Sequence, residues 1–262
     1  MIDQTPVFVC LKWGEGYPTL YTNTLFRALS ALMDRPFRLA CITDEPDGLL
    51  AGIEIIPSPK FTLPKKHWVP GMWPKLAAFQ PGLFEDGTPI IMIDVDVVII
   101  QDLGPLVDHI LAEPGLHIIH DWHDSLERWF PKIWNNERLS NSSVVGFRAG
   151  EQGQIWRAFE GSDWAALKPY INDQAFIHHY AENRKFWPQP WVLSFKKSLC
   201  WHVPVNLFRP VPHPKEAYIV AFHGVPDPED VSGKPFQRWG SPEKFGFFPV
   251  KWVKDYWDRF SR

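Results

Sequence analysis

Ile90-Ile91-Met92-Ile93-Asp94-Val95-Asp96-Val97-Val98-Ile99-Ile100 is the stretch on which the reading of this chain turns. A run of apolar residues without alternation suits a strand buried on both faces of a parallel sheet. Residues 90–93 are therefore expected to be a central strand that runs into Asp94-Val95-Asp96, with residues 97–100 extending it. Asp is disfavoured inside strands, and a buried, unpaired carboxylate would normally neutralise. Alternation puts Asp94 and Asp96 on one face of the extended chain. Such a pair needs a counter-charge, and a hard divalent cation with oxygen ligands, Mn²⁺ or Mg²⁺, supplies one. The plainer alternative is a turn in which an Asp caps the next segment. The apolar runs on both sides favour the metal.

Working outward, residues 7–11 (VFVCL) form another continuous apolar run, and residues 37–43 and 53–56 read as further strands. Between the first two, Pro18 can open a helix whose apolar face is Leu25, Leu29, Leu32 and Met33, with Pro36 ending it. Residues 57–71 carry four prolines and read as a long loop, followed by a short helix around residues 74–79. Leu103, Leu106, Val107, Ile110 and Leu111 give a second helical face. Strands are expected at 116–119 and 143–147, and helices around Ile155 to Phe159 and over 173–180. Beyond residue 186 the pattern is irregular, with short strands near 191–195 and 218–222 and a last amphipathic segment over 250–260. Strands alternating with helices imply βαβ units and a mostly parallel sheet. Ligands of such sheets bind beyond the carboxyl ends of the strands, where Asp94 and Asp96 lie.

The composition bounds the function. With 262 residues, 45% hydrophobic and 22% charged, the chain is an ordinary globular one, large enough for a substantial core. A net charge of -3 argues against a non-specific binder of nucleic acid or of an anionic membrane, which needs a basic excess, though not against a local basic patch. The 26 prolines are scattered between hydrophobic runs and read as turn punctuation. The 14 tryptophans read as core first and as flat platforms for sugar or base rings second. Cys10, Cys41 and Cys200 are odd in number and far apart, which excludes a disulfide framework and a cysteine zinc site. A reducing compartment is expected. No signal peptide and no transmembrane helix are expected, since the most apolar stretch is broken by two carboxylates.

Several blocks then resemble a known family. Lys75-Leu76-Ala77-Ala78-Phe79 followed by the stretch from Ile91 to Leu103 is similar to the core of GT-A glycosyltransferases with a D-x-D motif, and most of all to glycosyltransferase family 8 and its bacterial relatives. Asn141-Ser142-Ser143-Val144-Val145-Gly146-Phe147 is similar to that family's Asn-Ser-Gly block, Asn172-Asp173-Gln174 to its Asp-Gln block, and His223-Gly224 to its C-terminal His-Gly element. The blocks follow the family's order across most of the chain. The resemblance implies one α/β domain over residues 1–262, GT-A-like and Rossmann-like. It would have a mixed, mostly parallel sheet flanked by helices and a loop-rich C-terminal part. Residues 1–121 would form the nucleotide-binding half and residues 122–262 the acceptor and sugar half.

The implied activity is hexosyl transfer from a nucleotide-sugar, of the UDP type, to a glycan or lipid-linked acceptor, with retention of anomeric configuration. Asp96 would ligate the metal, Asp94 would assist it and reach the donor, and His223 would be the third ligand, a set that leans to Mn²⁺ over Mg²⁺. Lys75 would approach the donor's phosphate or sugar. Tyr17 would lie against the base. Asn141, Asp173 and Gln174 would line the transferred sugar, Asp173 or Gln174 standing by the anomeric carbon. A cytoplasmic enzyme with peripheral membrane contact is the family-level expectation. Two features depart from the pattern. Cys10-Leu11-Lys12-Trp13 stands where the family has a small residue and a base-reading Asp, and Asp227-Pro228 stands where it has Lys-Pro. Lys234-Pro235, further on, is a candidate substitute for that Lys.

Other constellations weigh less. His117, His120 and His123 recur every third residue, but that spacing does not converge on a strand. Asp121-Trp122 is expected near the acceptor or sugar pocket. His178-His179 reads as helix surface and Lys196-Lys197 as a solvated pair, while Trp68, Trp73, Trp129 and Trp134 read as core or cleft wall. Two rivals remain for function. One is an HAD-type phosphohydrolase with Asp94 as nucleophile, which would release phosphate from simple phosphoesters. The other is a carbohydrate-binding protein without catalysis, indifferent to chelator.

Overall fold

The computed structural model describes residues 5–14, 16–68, 72–122 and 140–262. Its strands are β1 (Val7–Lys12), β2 (Arg38–Thr43), β3 (Ile53–Pro57), β4 (Pro89–Ile93), β5 (Val97–Ile99), β6 (Leu116–His120), β7 (Ser140–Arg148), β8 (Arg184–Phe186), β9 (Val192–Ser194), β10 (Ile219–Ala221), β11 (Trp239–Ser241) and β12 (Lys244–Gly246). The helices of eight or more residues are α1 (Thr19–Leu32), α2 (Gly104–Ala112), α3 (Gly153–Glu160), α4 (Asp173–Tyr180) and α5 (Lys251–Phe260).

The main sheet has seven strands in the order β3-β2-β1-β4-β7-β6-β8. All its pairings are parallel except those of β7, which runs antiparallel to β4 and β6. The apolar runs read from the sequence are buried on both faces. In β1, Phe8 and Cys10 face one core and Val7 and Val9 the other; in β4, Ile91 and Ile93 share the first core and Ile90 and Met92 the second. α1, α2 and α5 cover the first face, while α3, α4 and the 3-10 turn Trp73–Phe79 cover the second. α5 buries Val253, Tyr256, Trp257 and Phe260, the i, i+3, i+4, i+7 stripe of an amphipathic helix.

Chain order reverses between β1 and β4: β2 and β3 lie outward on one side of β1, and β4 lies on the other. The crevice at their carboxyl ends is where an open α/β sheet takes its ligand. Antiparallel β7 starts at that same edge. Ile93 pairs with Val144, and the Asp94 amide donates to the Ser143 carbonyl at 2.9 Å, so Asn141 to Ser143 sit beside the end of β4. β7 also needs Gly146. A Cβ there would lie 2.6 Å from the Trp187 ring and 2.7 Å from Ile110 Cδ1, closer than any real contact.

One expectation fails. Residues 97–99 do not extend the central strand. They pair antiparallel with β10 in a separate three-stranded sheet, β5-β10-β9. The two carboxylates are the physical reason: the chain leaves the sheet at Asp94, and the apolar run beyond Asp96 is buried elsewhere, with Val98 1% exposed.

Candidate active site

The end of β4, the loop after β1 and the residue before the one-turn helix Pro228–Val231 enclose a cavity of about 340 Å³ lined by Lys12, Trp13, Tyr17, Met72, Lys75, Asp94, Asp96 and Asp227, among others. Its charges are tied together in a chain. Lys75 Nζ meets Asp94 Oδ1 at 2.5 Å. Tyr17 Oη lies 3.0 Å from Asp96 Oδ2, to which it donates, and 3.4 Å from Asp227 Oδ1. Behind Lys75, Ser142 Oγ donates to Asp173 Oδ2 at 2.6 Å.

Each position has a local cause. Trp73–Phe79 is buried throughout, which drives the Lys75 stem inward until its ammonium meets carboxylate. Asn172 caps α4 by accepting from the Ala175 amide, so Asp173 is the first helical residue and is held where the macrodipole favours an anion. Tyr17 precedes Pro18, the residue before α1, and packs on Tyr21 at 5.0 Å between ring centres.

The electrostatics follow from burial. Burial, then the neighbouring Asp94 charge, pushes the Asp96 carboxyl up to about 8; Lys75 and the Tyr17 hydroxyl only partly oppose them. Burial likewise raises Asp173 to about 6, against the pull of Lys75 and of its bond from Ser142. Asp173 Oδ1 is buried with no hydrogen-bond partner. Lys75 is fully enclosed, which would lower it, yet Asp94, Asp173 and Asp96 together hold it above its ordinary value. Burial and the Asp96 and Asp227 carboxylates keep the Tyr17 hydroxyl protonated. The site thus holds more acid than base.

His223 is the exception among the expected residues. Its backbone lies close, since the Phe222 amide donates to the Asp96 carbonyl at 3.0 Å. Its ring, however, sits 2.7 Å from Ser194 Oγ through Nε2 and stacks on Trp122, 5° from parallel. Burial, followed by Lys196 and Lys197, lowers it to about 4, so the imidazole is neutral. Among the described residues no three His, Cys, Asp or Glu side chains are gathered to hold a metal. Asp94 and Asp96 are brought together; His223 is not brought to them.

Other expectations resolve individually. Asn141 is buried, and its side chain accepts from the Ser143 amide at 2.9 Å. Gln174 follows Asp173 and is half-buried. Lys197 is no solvated surface residue: it pairs with Asp121 at 3.0 Å. Asp121 and Trp122 line a second, larger cavity of about 620 Å³ with His120, Phe186, Trp187 and Gln189. His178 is hydrogen-bonded to Ser140 at 2.6 Å, so only His179 is exposed helix surface. Trp73 is core, packed on Phe159 and Phe176. Lys234 is exposed and does not line the site cavity. His123, Trp129 and Trp134 lie outside the described residues. The sequence reading assigned no role to Ser142, although it lies inside the Asn141–Phe147 block, nor to Ser194 or Met72, which carry no motif signal; Asp227 was visible only as a departure from a pattern.

Solved structures share this architecture. A galactosyltransferase, LgtC, solved in complex with donor and acceptor sugar analogues, superposes with a TM-score of 0.60 at 11% identity, covering 98% of this chain and 96% of that one. This chain has the GT-A fold. The glycosyltransferase GlyE of Streptococcus pneumoniae superposes with a TM-score of 0.54 at 9% identity over 98% of this chain and 61% of that one. The bifunctional glycosyltransferase WbbM, solved without ligand, does so at 0.52 and 13% identity over 87% and 47%. No protein-family model and no curated protein matches the sequence. The mixed, mostly parallel sheet expected from the sequence is thereby established. Among the described residues no helix is long and apolar enough to cross a membrane.

Proposed function

We propose that this chain is a metal-dependent glycosyltransferase. It moves a hexosyl group from a nucleotide-sugar of the UDP type to a hydroxyl of a glycan or lipid-linked acceptor, with retention. The observation that carries the reading is the pairing of Asp94 with Asp96 in the wall of a cavity at the switch point of a GT-A sheet, with Asp96 pushed up to about 8. Two carboxylates in a cavity whose lysines are already engaged, Lys75 by Asp94 and Lys12 by Glu45, are a donor set short of positive charge. Hard oxygen ligands of that kind suit Mn²⁺ or Mg²⁺. Asp94 and Asp96 would hold the ion, and His223, neutral and one residue from the Asp96 neighbour Phe222, would join them on leaving Ser194.

A bound divalent ion would act as Lewis acid and template toward the diphosphate leaving group. The chain's own residues do the rest. Lys75 adds fixed positive charge beside Asp94 in a site sheltered from water, where charge is worth more than in solvent. The Tyr17 ring forms the wall where a base would lie, its hydroxyl bonded to Asp96. Asn141, Asp173 and Gln174 line the sugar end. Asp173, with one oxygen bonded by Ser142 and the other unpartnered, supplies negative charge toward a developing oxocarbenium centre. We assign it an electrostatic role and leave the acceptor's proton to the departing phosphate oxygen. In this reading residues 1–121 serve the nucleotide, and residues 122–262 the sugar and acceptor.

The test is a panel of nucleotide-sugars incubated with Mn²⁺ or chelator, with proton NMR of the first sugar released or transferred. Metal-dependent turnover of one donor with retained configuration supports the reading. Turnover of simple phosphoesters, or none of any donor, contradicts it.

A further inference from the structure

The cavity at the end of β4 is also lined by a lysine to which the glycosyltransferase reading gives no task. Lys12 is the last residue of β1, in register with Thr43 of β2, and its side chain is 5% exposed. Lysine is rarely buried without a partner. Its partner is Glu45, whose side chain is 60% exposed. Lys12 Nζ lies 3.3 Å from Glu45 Oε2 and 3.3 Å from the Glu45 carbonyl oxygen, both long for a charged donor. Lys75 and Asp94, by contrast, close to 2.5 Å. An ammonium has three N–H donors, so one remains beyond the two that serve Glu45. An ion pair this long, with one partner in solvent, contributes little to stability. Stability therefore does not explain a lysine in this wall.

The pair is held in place from both strands. The Gly14 amide donates to Asp44 Oδ1 at 3.1 Å, which ties the loop after β1 to the loop after β2, and the Glu45 amide donates to Thr43 Oγ1 at 2.9 Å. Leu11, Trp13 and Tyr17 line the cavity together with Lys12. Aromatic faces of this kind are surfaces on which bases stack. In the sheet, β1 lies between β4 and β2. Asp94 and Asp96 follow β4, Lys12 ends β1 and Glu45 follows β2. A nucleotide with its diphosphate at the two aspartates thus has its base toward Lys12 and Glu45.

The chemistry of the pair selects among bases. A lysine only donates, and an ionised glutamate only accepts. The base must therefore offer an acceptor beside an N–H donor. Uracil does so on both sides of N3, because its N3–H lies between the O2 and O4 carbonyls, and the pair fits it from either side. Cytosine has an acceptor at N3 and its donor at N4, and fits in one order only. We propose that Lys12 and Glu45 are the base-reading pair of this site, Lys12 donating to a uracil carbonyl and Glu45 accepting from N3–H. The proposal rests on the nucleotide-sugar reading and adds to it the residues that choose the base.

The experiment is calorimetric titration of UDP, CDP, GDP, ADP and pyrophosphate, each with saturating Mn²⁺, into wild type, Lys12→Met and Glu45→Ala, with urea midpoints to certify the fold. Wild type should bind UDP at least about tenfold more tightly than CDP, and each variant should bring that ratio below about threefold while keeping its affinity for pyrophosphate. Glu45 is at the surface, so Glu45→Ala decides the matter even if Lys12→Met does not fold. Equal affinity of wild type for UDP and CDP, a preference for another base, or a uracil preference undiminished in either folded variant overturns the proposal. Pyrophosphate bound as tightly as UDP also overturns it, and leaves the metal and diphosphate site standing. No binding of pyrophosphate or of any nucleotide overturns the proposal and the glycosyltransferase reading together.

Discussion

Asp96→Asn should stabilise the metal-free protein, and the gain should depend on pH. The Asp96 carboxyl moves from an ordinary 3.8 to about 8 on folding, first through burial and then through Asp94. A group raised in the folded state contributes stability that is full below its unfolded value and is lost as pH rises toward its folded value. Near pH 7 the unfolded chain has released this proton and the folded chain still holds it. That is about three pH units at roughly 1.4 kcal/mol each, a ceiling of about 4 kcal/mol. Asparagine carries no charge and can still accept the bond from Tyr17, which the native structure makes at 3.0 Å. Urea unfolding in chelator, followed by tryptophan fluorescence, should show the variant more stable by about 2–4 kcal/mol near pH 7 and equal to wild type near pH 4. Added Mn²⁺ should then raise wild type above the variant, by mass action on a site that only wild type has. A variant less stable than wild type near neutrality, or a gain that ignores pH, would refute the electrostatic account of the site.

Three further outcomes follow from the same geometry. Asp173→Asn keeps an acceptor for Ser142 but removes the charge, so transfer should fall about a hundredfold or more while the fold is retained, as steady-state kinetics and urea midpoints will read. His223→Gln should weaken Mn²⁺ binding, measured by electron paramagnetic resonance, and leave metal-free nucleotide binding alone. Because burial and the lysines hold His223 at about 4, this group's contribution to stability is full above 6.5 and fades as pH falls toward 4. Gly146→Ala puts a methyl group into the Trp187 ring and Ile110, and should cost about 1–3 kcal/mol in denaturant unfolding without changing the metal response.

Much of the frame was legible in the sequence, because burial on both faces leaves an unmistakable trace. The runs in β1 and β4 are apolar without alternation for the same reason that they lie at the centre of the sheet. The helices announced themselves by periodicity, and α4 was read over 173–180, the length it has in the structure, where Asn172 caps it. What could not be read was pairing. The apolar run after Asp96 has the composition of a strand, and composition does not say which sheet will take it; β10, more than a hundred residues on, decides that. The site shows the same division. The acidic pair was visible because it interrupts an apolar run; Lys75 and Asp173 were visible only through the resemblance of their blocks to those of a known family. Ser142 and Ser194 were not, because a serine is an ordinary residue until the fold sets it 2.6 Å from a buried carboxylate or 2.7 Å from an imidazole. The orientation of the His223 ring, toward Ser194 and away from Asp96, belongs to that class.

Calorimetric titration of UDP into the protein, with saturating Mn²⁺ and again with chelator, tests the central claim most directly, with Asp96→Asn run beside wild type. The account requires tight, metal-dependent binding by wild type and its loss in the variant, whose fold the urea midpoint certifies. Binding of equal strength with and without Mn²⁺, or undiminished in the variant, would contradict the assignment of the Asp94–Asp96 cavity as a metal-dependent nucleotide-sugar site.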